Sequence, residues 1–198
     1  ILFTRNIEEP LQIAEQAYAA KQFKQEWPMW VSVDQEGGRV QRIRRPHTEW
    51  PALATLGRCG DDQLAVKFGH ALGRELSAVG ITMNFAPVLD IATNAENPVI
   101  GDRAIAEHVS DVSRLGQAIV AAVQSMGVAA CGKHFPGHGD TSVDSHVCLP
   151  VVGLEESRLR EVELDPFRSA IEAGVSGLMT AHVSYPALDD EYPATLSS

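Results

Sequence analysis

Apolar runs alternate with amphipathic segments along the whole chain. Five of the runs are rich in β-branched or apolar residues, and their apolar positions are nearly continuous rather than alternating. Continuous runs of this length are typical of parallel strands that are covered on both faces. The pattern therefore predicts strands at residues 1–4, 30–33, 81–88, 128–131 and 175–179.

The amphipathic segments between these strands predict three helices. The first spans residues 61–79 and begins with Asp61, a residue type that caps helix N-termini. The second spans residues 108–126 and repeats its apolar residues at helical spacing. The third spans residues 159–173 and contains Pro166, which forces either a break in the helix or a position in its first turn.

Glycine marks the boundary between each predicted helix and the strand that follows it. Gly80, Gly127 and Gly174 occupy this boundary and lie 47 residues apart. A glycine at this position supplies the left-handed conformation that ends a helix. The chain is therefore predicted to consist of repeated strand–loop–helix units in an α/β fold.

Polar clusters follow nearly every predicted strand. They are Asp34-Gln35-Glu36-Gly37-Gly38, Asp90, Lys133-His134 and His182. In a (β/α)8 TIM-type barrel, functional residues lie at the C-terminal ends of the strands, whereas a doubly wound sheet concentrates them at one switch point. The distribution favours the barrel. Because only five of eight strands are present, we expect an incomplete one.

Composition and charge exclude several classes of partner. Hydrophobic residues make up 44% of the 198 residues and charged residues 21%, as in ordinary globular proteins. The net charge of −10 argues against a nucleic-acid or anionic-membrane partner. No apolar run approaches the roughly 20 residues of a membrane span. The three cysteines form no CxxC pair, which is typical of reduced thiols and favours a cytoplasmic location.

The stretch 133–146 carries three histidines, two aspartates and a lysine on a loop broken by glycine and proline. Within it, Asp144 and His146 lie two residues apart. A carboxylate at this spacing can fold back onto an imidazole, fix its tautomer and raise its basicity, and such a histidine can act as general acid and base. An aspartate that caps the loop beside an exposed histidine would give the same spacing, so both interpretations stay open.

A metal site is the competing interpretation of the same stretch. Its candidate ligands are His134, His138, His146 and either Asp144 or Asp140. The spacing of the first two histidines suits a helix, which Pro136-Gly137 between them prevents. We therefore expect neither a metal nor another cofactor.

Two further segments carry candidate binding residues. In Asp34–Arg42 the Gly-Gly pair permits a tight turn, and the surrounding carboxylate and guanidinium groups suit a polyhydroxylated ligand. A salt-bridged loop without a ligand is the alternative. Arg103 is a further candidate donor, whereas Asp90 is predicted to brace a neighbouring cation. His182, at a strand end, would line the cleft or pack at its rim.

Together these segments resemble glycoside hydrolase family 3, and most closely its bacterial β-N-acetylglucosaminidase (β-hexosaminidase) branch of peptidoglycan recycling. The similarity extends over essentially the whole chain. The segments that carry it are Ile1–Asn6, Val33–Arg42, Asn84–Asp90, Gly101-Asp102-Arg103, Lys133–Gly139, Asp144-Ser145-His146 and Ala181-His182-Val183.

The resemblance implies a retaining exo-β-N-acetylglucosaminidase that uses a histidine and an aspartate where most such enzymes use an acid/base carboxyl group. His146 would be the acid/base and Asp144 its support. The N-acetylglucosamine of a muropeptide or chitooligosaccharide-like substrate would be held by Asp34, Arg42, Arg103, Lys133 and His134.

The resemblance also implies that a part is missing. The family's nucleophile is an aspartate in a Ser-Asp-Asp-type segment, and the 198 residues contain no such segment. We therefore expect residues 1–198 to be one partial catalytic barrel, truncated at both ends, inactive by itself and open to oligomerisation through its strand edges. A non-catalytic sugar-binding module and a phosphorylase of the same family remain as alternatives.

Overall fold

The structure, a computed structural model, describes residues 1–23, 26–143 and 148–197. Its α/β fold is built from short strands and longer helices. The strands are β1 (Ser32–Val33), β2 (Gln35–Gly37), β3 (Val40–Gln41), β4 (Met83–Asn84), β5 (Ala129–Phe135) and β6 (Gly177–Thr180). The helices are α1 (Pro10–Lys21), α2 (Leu53–Cys59), α3 (Asp62–Ala78), α4 (Val109–Ser125), α5 (Glu156–Arg158) and α6 (Asp165–Glu172).

The main sheet holds four parallel strands in the order β1-β4-β5-β6. Ser32 pairs with Met83, and Met83 pairs in turn with Ala129. Cys131 pairs with Gly177. The C-terminal ends of all four strands therefore meet at one edge of the sheet. The other two strands, β2 and β3, form an antiparallel hairpin across the Gly-Gly turn.

Several predicted strands differ in extent from the observed ones. The prediction of a strand at residues 1–4 was wrong, because Leu2 forms only an isolated parallel bridge with Val33. The chain turns away there into a 3-10 helix, and the Asn6 side chain accepts a hydrogen bond of 3.1 Å from the Phe3 backbone. The strand predicted at 81–88 shortens to β4, and after Pro87, which has no N–H to donate, Val88 forms only an isolated bridge with Lys133.

The three predicted helices are confirmed. The side chain of Asp61 accepts hydrogen bonds from the backbone of Gln63 (2.8 Å) and Leu64 (3.1 Å), which caps α3. Pro166 lies in the first turn of α6, directly after a π-helical segment at Leu159–Glu163. Helices α1, α2 and α5 were not predicted from the sequence.

The helix-ending glycines also behave as predicted. Gly80, Gly127 and Gly174 have φ angles of 78°, 79° and 75°, in the left-handed region that a side chain disfavours. Each one turns the chain from a helix into the next strand of the repeat.

The main core lies between the sheet and helices α3 and α4, and includes Leu72, Ile119 and Ala130. The two helices approach closely at Gly69, where an added Cβ would lie 2.7 Å from the Cβ of Ala122. None of the helices in the described ranges is long and apolar enough to cross a membrane.

Candidate active site

A cavity of about 450 Å³ opens at the C-terminal ends of the parallel strands. Its walls combine charged side chains with apolar ones, among them Phe85 and Met179. The titratable side chains that line it are Asp34, Glu36, Arg42, Arg103, Lys133, His134, His138 and His182. The strand ends thus bring together residues that are far apart in sequence, as expected for the functional end of a barrel.

Glu36 is the centre of the charged wall. Its carboxylate accepts two hydrogen bonds of 2.9 Å from Nε and Nη2 of Arg103, a bidentate arrangement. The same carboxylate lies 2.6 Å from Nζ of Lys133. Burial by itself raises the pKa of Glu36, but the Arg103 hydrogen bond and the two positive charges outweigh it, and the pKa is lowered.

Lys133 is held between two carboxylates. Besides Glu36 it contacts Oδ1 of Asp34 at 2.9 Å, although the two residues are 99 positions apart. An ammonium group has three N–H donors. Among the described residues these contacts use two of them, and the third can donate to a ligand in the cavity.

Asp90 lies beneath His134 and holds its orientation. The Asp90 carboxylate is fully buried and lies 2.7 Å from Nδ1 of His134, and it also accepts a bond from the backbone N–H of His138 at 2.6 Å. Burial raises the pKa of Asp90, yet its contacts with His134 and His138 lower it overall. An ionised carboxylate can only accept, so Nδ1 of His134 carries a proton and Nε2 lies 3.5 Å from Nη2 of Arg103.

Arg42 has spare hydrogen-bonding capacity. Its Nη2 lies 3.6 Å from Oδ2 of Asp34, which is an ion pair but too long for a hydrogen bond. Its Nε is buried without a hydrogen-bond partner among the described residues. A buried donor of this kind is satisfied when a ligand supplies an acceptor.

The predicted binding residues Asp34, Arg42, Arg103, Lys133 and His134 therefore all line one cavity. His182 also lines it and contacts Oγ1 of Thr195 at 3.1 Å. The predicted acid/base pair, Asp144 and His146, lies outside the described residues, and these two residues are also candidate ligands of the metal alternative. Within the described ranges, no group of three or more His, Cys, Asp or Glu side chains could hold a metal ion.

Sequence reasoning missed the role of Glu36. Glu36 was noted only as one of several charges near the Gly-Gly turn. Its contacts with Lys133 and Arg103 span 97 and 67 positions, and they depend on how the β2–β3 hairpin lies against β5. One signal could have indicated Glu36. Two cations in one site, Lys133 and Arg103, need more than one carboxylate to balance their charge, and Glu36 lies in the same segment as Asp34.

A second, larger cavity lies at the opposite end of the strands. Its volume is about 660 Å³, and it is lined by Trp27, Trp30 and the N-terminal residues of β5. No titratable side chain stands among its described lining residues. Of these two cavities, only the C-terminal one is lined by titratable side chains.

The whole chain, residues 1–198, matches the model of the glycosyl hydrolase family 3 N-terminal domain. This chain belongs to glycoside hydrolase family 3. The family's N-terminal domain is a TIM-barrel-like α/β fold, and the parallel sheet with helices between its strands is part of that fold.

Curated relatives in the family carry the name β-hexosaminidase. The β-hexosaminidase of Nitrosomonas eutropha is 41% identical over 204 residues, covering 100% of this chain and 58% of the relative. β-Hexosaminidase A of Pseudoalteromonas piscicida is 42% identical over 199 residues, covering 96% of this chain and 33% of the relative. The chain therefore spans between a third and three fifths of these relatives.

Solved structures agree with the fold. The family 3 β-N-acetylglucosaminidase of Paenibacillus sp. superposes with a TM-score of 0.95 at 48% identity, over 99% of this chain and 38% of that one. NagZ of Neisseria gonorrhoeae, in complex with N-trifluoroacetyl-D-glucosamine, gives a TM-score of 0.91 at 37% identity, over 97% of this chain and 57% of that one.

Proposed function

We propose that the protein carrying this chain is a retaining exo-β-N-acetylglucosaminidase that releases N-acetylglucosamine from β-1,4-linked, muropeptide-type substrates. The observation that carries the proposal is the charged wall of the C-terminal cavity, where Asp34, Lys133 and Arg42 keep unused hydrogen-bonding capacity. Family membership and the names of the relatives support the same activity.

The geometry of the charged wall suits the hydroxyl groups of a pyranose ring. A sugar hydroxyl can accept from the remaining N–H of Lys133 and donate to the carboxylate of Asp34, which lies 2.9 Å from it. The guanidinium of Arg42, beside the same carboxylate, offers a second donor. Because Glu36 and Asp90 fix these groups before a ligand binds, their orientation costs little when the transition state forms.

The proposed chemistry is a double displacement. His146, oriented by Asp144, would protonate the leaving oxygen and later accept a proton from water, since an imidazole titrates near neutral pH. A carboxylate nucleophile would attack the anomeric carbon. By the resemblance, we assign that nucleophile to a Ser-Asp-Asp-type segment outside the 198 residues, so that the chain alone binds the sugar without turning it over.

The decisive experiment replaces the proposed acid/base. His146→Gln in the protein that carries this sequence is assayed on a phenyl β-N-acetylglucosaminide. We expect a loss of kcat of about 10²–10⁴, the usual contribution of general acid catalysis. His108→Gln, at an exposed position, is the matched control and is expected to keep its activity. A loss below tenfold for His146→Gln contradicts the proposal.

The identity of the reaction product shows whether water or phosphate accepts the sugar. In the presence of phosphate, a hydrolase releases free N-acetylglucosamine, and a phosphorylase releases the sugar 1-phosphate. We expect the free sugar at all phosphate concentrations. Formation of the sugar 1-phosphate as main product would replace hydrolysis by phosphorolysis.

A further inference from the structure

Asn97 joins two loops at the C-terminal end of the sheet. Its Nδ2 lies 2.9 Å from the carbonyl oxygens of both His138 and Gly139, and 3.1 Å from Oγ1 of Thr141. Its Oδ1 accepts from the backbone N–H of Val99 at 2.9 Å and of Ile100 at 2.8 Å. One side-chain amide therefore ties the loop that follows β5 to the loop that precedes Arg103.

The amide is buried and fully used. Asn97 is 6% exposed, and both the donor and the acceptor side of its amide have partners within hydrogen-bond distance. Buried polar networks of this kind hold a single arrangement, since any other leaves a donor or acceptor unpaired away from water. The relative position of the two loops is thereby fixed.

Each of the two loops carries a part of the candidate site. Nη1 of Arg103 donates to the carbonyl of Val99 at 3.0 Å. The loop that contains Asn97 and Val99 therefore helps to position the guanidinium that binds Glu36. On the other side, Thr141 precedes Asp144 by three residues, and Gly139 packs so tightly on Ile91 that an added Cβ would lie 1.7 Å from its carbonyl oxygen.

We propose that Asn97 is a positioning residue, which sets the loop leading to the acid/base against the loop that places Arg103. This inference rests on the proposed function, because it assigns to Asn97 the alignment of proton donor and bound sugar. Asn97 itself does not face the cavity, so it acts through the two loops and not on the substrate.

Asn97→Asp separates the contacts of Asn97 with the loop after β5 from its contacts with the loop before Arg103. The variant keeps an oxygen for Val99 and Ile100 and nearly the same shape, but it replaces the donating NH2 group by an oxygen. That oxygen would face the acceptors of His138, Gly139 and Thr141. The loop after β5 then loses its anchor, whereas the Arg103 loop keeps its own.

The test compares two aryl β-N-acetylglucosaminides in the protein that carries this sequence. A phenyl leaving group needs protonation, and a 2,4-dinitrophenyl group leaves without it. The comparison uses kcat/KM, which reports the first displacement alone, because the acid/base also assists the second step as a base. For Asn97→Asp we expect kcat/KM to fall about 10- to 100-fold on the phenyl substrate, a part of what general acid catalysis contributes. On the dinitrophenyl substrate, kcat/KM should stay within about threefold.

Ile119→Val on α4 controls for lost stability, because the residue is buried in the core and does not line the cavity. It is expected to lower both rates equally. A second pair of variants, with smaller changes, tests the same role if Asn97→Asp does not fold. Thr141→Val removes the hydroxyl that Asn97 contacts, and Thr141→Ser retains it. We expect the phenyl rate to fall with valine and to recover with serine.

Equal losses on both substrates for Asn97→Asp, or no difference between the two Thr141 variants, overturn the assignment of Asn97. His146→Gln, measured in parallel, distinguishes this result from failure of the proposed function. If His146→Gln lowers the phenyl rate selectively while Asn97→Asp does not, only the role of Asn97 is wrong. If His146→Gln itself shows no selectivity, the acid/base assignment fails.

Discussion

The Nζ of Lys133 lies 2.6 Å from Oε1 of Glu36, and the two side chains are only 3% and 1% exposed. The same carboxylate holds Arg103 through two hydrogen bonds. Removing one partner from a buried ion pair is costly, because the remaining charge stays away from water without compensation. Glu36 therefore determines where both cations lie.

Glu36→Gln is expected to lower stability and the affinity for N-acetylglucosamine together. It leaves Lys133 and Arg103 buried with less compensating charge, which should reduce the free energy of unfolding by about 3–5 kcal/mol. Binding of N-acetylglucosamine should weaken as Lys133 and Arg103 move. Urea denaturation and calorimetric titration measure the two effects.

Asp102→Asn provides the comparison for Glu36→Gln. Asp102 pairs with Arg39 at 3.6 Å on the surface, where both side chains are about half exposed. Surface pairs contribute roughly 0–1 kcal/mol. An equal loss of stability in the two variants would contradict a central role for Glu36.

Asp90→Asn should remove part of the protein's sensitivity to acid. The pKa of Asp90 is lowered in the folded state by His134 and His138, in spite of burial. A carboxyl group with a lowered folded-state pKa contributes stability above its unfolded pKa of 3.8, and loses it as the pH falls through the folded value. We therefore expect Asp90→Asn to be less stable at pH 7, with a gap that narrows below about pH 4. A gap that stays constant down to pH 3 would be the contrary result.

Glu163→Gln should show the opposite pH dependence. Glu163 is buried in the π-helical segment, its Oε2 has no hydrogen-bond partner among the described residues, and burial raises its pKa. A raised folded-state pKa favours the protonated form, so its contribution is present below pH 4.5 and is lost as the pH rises. We expect the stability of Glu163→Gln relative to the natural protein to increase between pH 4 and pH 8. Chemical denaturation at both pH values checks the sign, and a decrease contradicts it.

Gly139→Ala should disrupt the loop after β5. A Cβ at this position would lie 1.7 Å from the carbonyl oxygen of Ile91, which forces the backbone to move. Overpacking of this kind costs about 1–3 kcal/mol. Gly153→Ala is the control, because nothing lies within 4 Å of its added Cβ. Thermal unfolding should separate the two variants clearly, and equal melting temperatures would argue against tight packing at Gly139.

Sequence patterns predicted the repeated strand–loop–helix units well, because the ends of these helices depend on residues close together in the sequence. The cap at Asp61 and the left-handed Gly80, Gly127 and Gly174 follow from the conformational preferences of single residues. Helices α1 and α2 were missed for a related reason. Helix α1 begins at Pro10 without a side-chain cap, and α2 is only seven residues long and contains Gly57, so neither shows a clear start and apolar periodicity.

The residues of the site could be predicted from the sequence, but the contacts between them could not. Strand-end position was enough to select Lys133, His134 and Asp34, and Arg42 was selected from the charged residues around the Gly-Gly turn. The contacts between them depend on which strands are neighbours and on the register of the sheet, which a single sequence does not determine. Asn97 shows the limit most clearly: an asparagine before a proline predicts a turn, and nothing local indicates that its amide reaches Thr141.

The contacts of Glu36 and Asp34 have a consequence for ligand selection. The three cations of the cavity wall, Lys133, Arg103 and Arg42, lie against two carboxylates, Asp34 and Glu36, which neutralise most of their charge. An anionic group entering the cavity would gain little attraction while losing its hydration. Because so little of the positive charge is left unpaired, such a wall favours uncharged, hydroxyl-rich rings over phosphorylated or sulfated ones.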